Sequence, residues 1–368
     1  MKENGFQVLV DSGAFMDDME MRILKAKDRV MIQAMTFEMD KAGMRLISAM
    51  KKSKAKEKVL CVDSYSLVNI NDGWAYAARY FTSKKHRDEV KATRKILTLR
   101  DSDIHVVLTN PVGFLGMKYP FRNHKKMMIV DNVAYLGGIN FSDHNFSWHD
   151  FMVRISDDEV VGSLVHDFRL TIQKKNQSAI QHLTTGRIYF LNGSNSGVEY
   201  ELLFDEILKA KKSISILSPY VSDPLLSRLK KLNPQVTVNI FTPRQNNKSL
   251  MKNGLYDAIR HTNFNLYEYR GMSHLKAILV DDSKLLFGSS NFDIVSYYLE
   301  QEVVMVSEDE HLVTSFRDQI LVPDRSQSEL IDLSSLKRNV TSRIVLILLK
   351  KIIAILAKLF SVKNDPKD

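Results

Sequence analysis

The chain has 368 residues, 44% of them apolar and 26% charged, with a formal charge of +9. These values suit a soluble globular protein of about two domains and exclude a disordered or low-complexity chain. The single cysteine, Cys61, excludes an intramolecular disulfide, and the positive charge favours an anionic partner, either nucleic acid or an anionic membrane surface.

Residues 1–18 contain no apolar core of signal-peptide length, and their acidic residues argue against a transit peptide, so a cytoplasmic location is expected. Ile23-Leu-Lys-Ala-Lys27 closes an amphipathic helix and leads into a strand-like run at 29–36. A helix is predicted over 41–53 and a strand over 58–62. Residues 64–100 are polar and basic, and include Trp74, Tyr76, Tyr80, Lys84, Lys85 and Arg87. They read as an insertion, either a lid beside the site or a solvated surface helix. Strands at 106–108 and 127–130 follow, and a helix at 160–175 ends the first half. Residues 176–185, polar and without periodicity, read as a linker.

The second half repeats the plan. A helix at 198–211 ends in Ile207-Leu-Lys-Ala-Lys211, the earlier pentapeptide again, and a strand at 213–218 follows it. Further strands are predicted at 237–242, 265–269 and 277–280, and a helix at 312–321. This alternation predicts an α/β fold of two similar halves, each a mixed β-sheet flanked by helices. A pseudo-twofold would relate them, with the active site at their interface. The expected boundaries are 1–178, 186–335 and a terminal helix at 338–362. The sixteen methionines read as core filling, and Lys248 and Lys252 as a solvated helix face. His144, His149 and His166 read as surface or supporting groups.

The pattern His-x-Lys-x-x-x-x-Asp occurs twice. The first copy is His124, Lys126 and Asp131, followed by Gly137, Gly138 and Asn140. The second is His274, Lys276 and Asp281, followed by Gly288, Ser289, Ser290 and Asn291. One copy alone could be surface; two that share a downstream Gly-x-x-Asn point to a duplicated site. Attack on a phosphodiester requires a nucleophile, a proton donor for the leaving oxygen, and cations or amides around the phosphoryl oxygens. Two imidazoles can fill the first two roles, since histidine exchanges its proton near neutral pH. A lysine two residues on shares the histidine's face in an extended segment. Asn140 and Asn291 would add neutral donors. No Cys/His cluster has zinc spacing, no acidic constellation suggests magnesium, and the histidine chemistry requires no metal or other cofactor.

The stretch from His124 to Asn140 and the stretch Gly288-Ser-Ser-Asn-Phe-Asp293, with Ser296, Leu299 and Glu302 beyond, resemble the twin motifs of the phospholipase D superfamily. The resemblance is greatest to bacterial cardiolipin synthases of the type without N-terminal membrane helices. It implies that each half contributes one histidine to a shared site. It also implies that Glu302 orients a histidine, that Asp150 occupies the matching position in the first half, and that Ser289, Asp131 and Asp281 are supports. One residue fewer separates Asp131 from Gly137 than Asp281 from Gly288, which places the loss in a hairpin turn.

The tail is almost wholly apolar between Ile344 and Phe360 except for its lysines. At about 100° per residue, Arg343, Lys350, Lys351 and Lys358 fall in one stripe roughly 100° wide. Three lysines in mid-helix disfavour a spanning segment and suit a helix in the interface of an anionic bilayer. Packing against the body with the lysines outward is the other reading. The expected function is therefore that of a membrane-associated phosphatidyltransferase using phosphatidylglycerol, peripheral on the inner face of the cell membrane. The alternatives are a hydrolytic phospholipase D, a phosphodiesterase-type nuclease and a lipid-binding scaffold without turnover. The apolar tail argues against the nuclease, and no stable nucleic-acid partner is expected.

Overall fold

Two sheets of the same strand order face each other in this structure, a computed structural model that describes residues 5–99, 103–335 and 340–360. The first half runs β1 (Phe6–Val10), α1 (Asp11–Lys25), β2 (Arg29–Ala34), α2 (Lys41–Lys52) and β3 (Glu57–Asp63). The inserted segment follows, with a small hairpin of β4 (Asn69–Ile70) and β5 (Gly73–Trp74), then α3 (Ala78–Thr82) and α4 (Lys84–Leu97). Next come β6 (His105–Thr109), β7 (Met127–Val130), β8 (Val133–Gly137), α5 (Asp143–Phe146), β9 (Phe151–Ile155) and α6 (Asp158–Ile172).

The second half opens with β10 (Ala179–Leu183), β11 (Gly186–Asn192), α7 (Gly197–Leu208), β12 (Ser213–Leu217), α8 (Leu225–Leu229), β13 (Thr237–Pro243) and α9 (Ser249–Ile259). It continues with β14 (Asn265–Tyr269), β15 (Ala277–Val280), β16 (Lys284–Gly288), α10 (Ile294–Tyr298) and β17 (Gln301–Ser307). It closes with α11 (Glu310–Phe316), α12 (Val322–Ser326) and β18 (Ser328–Ile331), and α13 (Val340–Phe360) is the tail.

The first sheet is ordered β1-β9-β8-β7-β2-β3-β6. The second carries the same order, β11-β17-β16-β15-β12-β13-β14, with β10 and β18 added at its edges. In both, the first three strands of the α/β crossovers pair in parallel and the remainder antiparallel, so both sheets are mixed. The alternation of strand side chains builds the layers. Met127 and Ile129 of β7, like Ala277 and Leu279 of β15, enter the core between the sheets. Met128 and Val130 face the α1–α2 side, and Ile278 and Val280 face the α7–α9 side. Polar caps start several helices: Asp40 accepts from the Gly43 N–H of α2 and Asp157 from the Val160 N–H of α6.

The segment at 176–185 differs from the expected linker, because its centre is β10, paired antiparallel with β11. As an edge strand with Gln181 and His182 exposed, it lacks the buried alternation that marks a strand in sequence. The shorter motif spacing in the first half lies in the hairpin: β7 and β8 are joined by two residues and β15 and β16 by three.

Lys252 also departs from expectation, since it pairs with Glu268 at 2.6 Å instead of lining a solvated face. The tail helix α13 combines both readings made for it. Ile353 and Ala357 are buried against Ile294 and Leu299, and Leu346 packs on Gly254 of α9. Its opposite side leaves Ile344, Ile347, Leu348, Ile352, Ile355 and Leu359 exposed. Lys350 turns toward the body and pairs with Asp223, whereas Lys351 and Lys358 are exposed, and the side chain of Arg343 lies outside the described residues.

Candidate active site

The two His-x-Lys segments lie just before β7 and β15, as extended chain, and each is bound to the other half. Gln301 accepts from the His124 N–H (2.9 Å) and donates its own N–H to the Arg122 carbonyl (2.9 Å). In the mirrored position, His149 accepts from the His274 N–H (2.7 Å) and donates to the Met272 carbonyl (3.1 Å). These two short bridges bring both histidines to the interface between the halves.

The bridges also exchange carboxylates. His124 donates from Nδ1 to Glu302 of the second half, with Oε1 at 3.0 Å and Oε2 at 3.1 Å. His274 donates from Nδ1 to Asp150 Oδ2 of the first half (2.9 Å). Each pairing fixes the ring orientation and leaves Nε2 as the nitrogen able to take up chemistry. Glu302 is completely buried; the Ser289 hydroxyl donates to one of its oxygens and the Ser296 hydroxyl to the other (2.7 Å). Asp150 lacks such hydroxyls and accepts instead from the Phe151 N–H (2.8 Å). Gly138 stands where Ser289 does, and a Cβ there would lie 2.6 Å from both Asp150 oxygens.

Lys126 and Lys276 are fully buried, and each donates to the carbonyl of the histidine two residues before it (2.8 Å in both cases). Lys276 also reaches His274 Nε2 at 2.9 Å. Burial pushes Lys126 down to about 8 and Lys276 down to about 7. Burial, followed by the neighbouring lysine in the same motif, holds both histidines well below their ordinary value, so both are neutral without substrate. Burial raises Asp150 to about 7 and raises Glu302. Lys126 acts electrically on His274, and Lys276 on His124, which is the signature of one shared site.

Asn140 and Asn291 are buried beside the histidine segments. Asn140 accepts from the Thr36 N–H (3.1 Å) and donates to Asn145 Oδ1 (3.3 Å), whereas Asn291 Oδ1 has no partner. Asp131 and Asp281 lie at the far ends of β7 and β15, away from the histidines. Asp131 accepts from the N–H groups of Lys27, Asp28 and Arg29 (2.9–3.0 Å), and Asp281 from those of Lys211, Lys212 and Ser213 (2.7–2.9 Å). The recurring pentapeptide and the motif aspartate are thus the two sides of one contact, made once in each half.

Several residues at the site carried no sequence signal. Glu300, in the position equivalent to Trp148, has Oε2 at 3.9 Å from His124 Nδ1. Trp148 packs on His274, with ring centroids 5.2 Å apart. Lys248, expected on a solvated face, lies over the Tyr220 ring at 4.3 Å, and its charge depresses both histidines. Asp63 holds the approach to His124, accepting from Arg122 (2.6 Å) and from the Asn123 N–H (2.5 Å). His149 is an interior cation: against the effect of burial, Asp11 and Asp324 raise it to about 10. The insert reaches the second half where Asn247 donates to Asp72 (3.1 Å), and α3 and α4 lie outside that contact.

Ligand atoms of His124, Glu300 and Glu302 lie within 4.8 Å of one another, as a metal site would require. The Nδ1 of His124 is engaged by Glu302, and both Glu302 oxygens already accept serine hydroxyls. The donors are therefore spent within the protein, and the group is better suited to orienting an imidazole than to binding an ion.

A family model described as "Cardiolipin synthase, PLD-like domain" matches residues 19–171 and 203–321. The chain belongs to this family. It is accordingly a phospholipase D-type phosphatidyltransferase or phosphodiesterase. Cardiolipin synthase of Clostridium perfringens (strain SM101 / Type A) is 24% identical over 382 aligned positions, covering 93% of this chain and 75% of the relative. Minor cardiolipin synthase ClsB of Bacillus subtilis (strain 168) is 26% identical over 270, covering 66% of each. Among solved structures, the phosphatidylserine synthase of Haemophilus influenzae Rd KW20 has the same fold, with a TM-score of 0.70 at 16% identity over 96% of this chain and 94% of that one. No helix among the described residues is long and apolar enough to cross a membrane.

Proposed function

We propose that the protein is a membrane-associated phosphatidyltransferase of the cardiolipin synthase type, acting on phosphatidylglycerol through a phosphohistidine. The observation that supports this reading best is the reciprocal pairing of His124 with Glu302 and His274 with Asp150, around two buried lysines. In the proposed cycle His124 Nε2 attacks phosphorus, the bond from phosphorus to the glycerol oxygen breaks, and His274 protonates the departing glycerol. The hydroxyl of a second phosphatidylglycerol then attacks the phosphatidyl-histidine, passes its proton to His274 and releases His124. The bound phosphodiester anion raises His274 from its depressed value and so charges it for its first role.

Lys126 and Lys276 stabilise the phosphoryl oxygens as charge builds up. Asn140 and Asn291 supply neutral donors beside them, and Ser289 steadies Glu302. His124 is taken as the nucleophile because both oxygens of one carboxylate hold its Nδ1, while the Nε2 of His274 lies beside Lys276. The exposed apolar side of α13, with Lys351 and Lys358, would dock the enzyme on the anionic bilayer that contains its substrate. The opposite side of that helix anchors it to the body.

The test is to incubate the full chain with phosphatidylglycerol vesicles and identify the products by mass spectrometry. Cardiolipin and glycerol are expected, with turnover reduced by about 10⁴-fold or more in His124→Ala and His274→Ala, as for loss of a nucleophile or its proton partner. A 32P-labelled phosphatidyl-protein should accumulate in His274→Ala and not in His124→Ala. Phosphatidic acid as the sole product would make the enzyme a hydrolase, and histidine-dependent cleavage of DNA without lipid turnover would make it a nuclease.

A further inference from the structure

We propose that Glu38, Asp40 and Glu89 form a binding site for a hard divalent cation, which clips the insert to the β2–α2 loop beside the active site. The three side chains come from separate places: Glu38 follows β2, Asp40 caps α2, and Glu89 lies on α4 of the insert. A carboxylate oxygen from each lies within 4.8 Å of the others. Glu38 is wholly buried, and its Oε2 has no hydrogen-bond partner. Its other oxygen accepts from the Asn71 N–H (3.0 Å), and the Asn71 side chain donates to Glu89 (3.3 Å), so the insert is drawn onto the cluster.

The surroundings are acidic as well. Asp143 lies against Asp40 through a backbone contact, and Asp72 lies 3.3 Å from His144 Nε2. His144 supplies positive charge 3.8 Å from Glu38 Oε1, and its own Nδ1 has no hydrogen-bond partner. Three close carboxylates in a low-dielectric setting repel one another, and a proton or a cation must offset that charge. A set of carboxylate oxygens open to added waters suits Mg2+, Mn2+ or Ca2+ in preference to softer metals.

The position gives such a cation consequences. His144 Nε2 contacts Asn145 Nδ2 at 2.6 Å, and Asn145 in turn accepts from Asn140. Asp72, the partner of His144, also accepts from Asn247 of the second half. A cation at Glu38, Asp40 and Glu89 would therefore brace the insert where the two halves meet, without touching the histidines.

The test uses Mn2+ as probe, following the electron paramagnetic resonance signal of the free ion during titration of the full chain. One Mn2+ should bind per chain, be displaced by Mg2+ or Ca2+, and raise the thermal midpoint. Binding should weaken by at least about tenfold in Glu38→Gln and in Glu89→Gln, the usual scale for disturbing a metal's ligands. Glu300→Gln should bind Mn2+ as the parent does, which separates this site from the carboxylates at His124. Glu89 is half-buried on α4, so its variant keeps the test valid even if Glu38→Gln folds poorly. Absence of Mn2+ uptake at millimolar concentration, or uptake unchanged in both variants, would overturn the proposal and assign the neutralising role to a proton.

Discussion

The two halves present the same histidine–lysine pair to one interface and support it with different chemistry. His124 is held by a glutamate that reaches from the second half, with a serine hydroxyl on each of its oxygens. His274 is held by an aspartate from the first half, with a glycine where one serine would be. The next difference lies two residues earlier in each chain: Glu300 stands near His124, and Trp148 lies on His274. Duplication therefore preserved the backbone frame, and divergence acted on the groups that set charge around each ring. An extra negative group near one imidazole and an aromatic face on the other are what a division of labour between nucleophile and proton carrier requires.

Removing the carboxylates should expose that division most strongly. Glu302→Gln and Asp150→Asn each keep the size of the side chain but replace an acceptor for imidazolium with a neutral amide. Loss of an orienting carboxylate from a histidine costs on the order of 10²–10⁴ in turnover. Glu302→Gln is expected at the upper end for formation of the phosphohistidine, and Asp150→Asn for its breakdown. Rapid-quench measurement of the labelled intermediate separates the two steps. Equal effects on both steps from both variants would mean that the asymmetry has no catalytic meaning.

A smaller effect should follow from exchanging the flanking residues. In Gly138→Ser the new Cβ meets both oxygens of Asp150 at 2.6 Å, so the carboxylate must move and His274 loses its fixed orientation. A displacement of that size at a reacting group costs about 10²-fold. Ser289→Gly removes one hydroxyl from Glu302 and leaves Ser296 in place, so a loss of about tenfold is expected, near the value of one charge-assisted hydrogen bond. A Gly138→Ser enzyme with unaltered kcat would show that Asp150 has room the geometry does not reveal.

Much of this frame could be read in the sequence, and the reason is local. The buried strands β7 and β15 are uninterrupted apolar runs, and the motif spacing sets His and Lys on one face of an extended chain. The twin Asp residues and the twin pentapeptide were each visible, although only the folded chain shows that one accepts the other's N–H groups. Exchange of carboxylates between halves was not legible, because position in the chain does not say which histidine Glu302 or Asp150 will meet. Glu300, Trp148 and Lys248 belong to no local pattern, and each gains its role from a neighbour in another segment. The helix α13 illustrates a different limit. Its apolar residues cover two opposite sides, and periodicity alone cannot say which side meets the body.

The lysine pair supplies a pH test of the same comparison. Burial places Lys276 at about 7 and Lys126 at about 8, so each is largely neutral above its own value and charged below it. Sulfate keeps one charge state between about pH 6 and 9, and its binding therefore reports the lysines in preference to the ligand. Affinity should fall as pH rises, first through the value of Lys276 and then through that of Lys126, by about tenfold in total if one charge-assisted contact is lost. Calorimetric titration at several pH values checks this, and Lys276→Met should remove the earlier part of the decline. Affinity that is constant or rises with pH would show that the lysines keep their protons.

The mildest effect is expected from Lys248, a group of the second half that acts on both histidines. It precedes α9 and lies on the Tyr220 ring, which itself lies 6.4 Å from the His274 ring. Its ammonium is exposed, so its field is screened and its contribution to an anionic substrate is small. Lys248→Ala should raise KM for phosphatidylglycerol by about threefold, near the value of one partly screened cation, and leave kcat nearly unchanged. The difference between variant and parent should shrink as salt is added, because the interaction removed is long-range. A fall in kcat with KM unchanged would instead place Lys248 among the groups that contact the transferring phosphoryl oxygens, and would make the charge around His274 denser than that around His124.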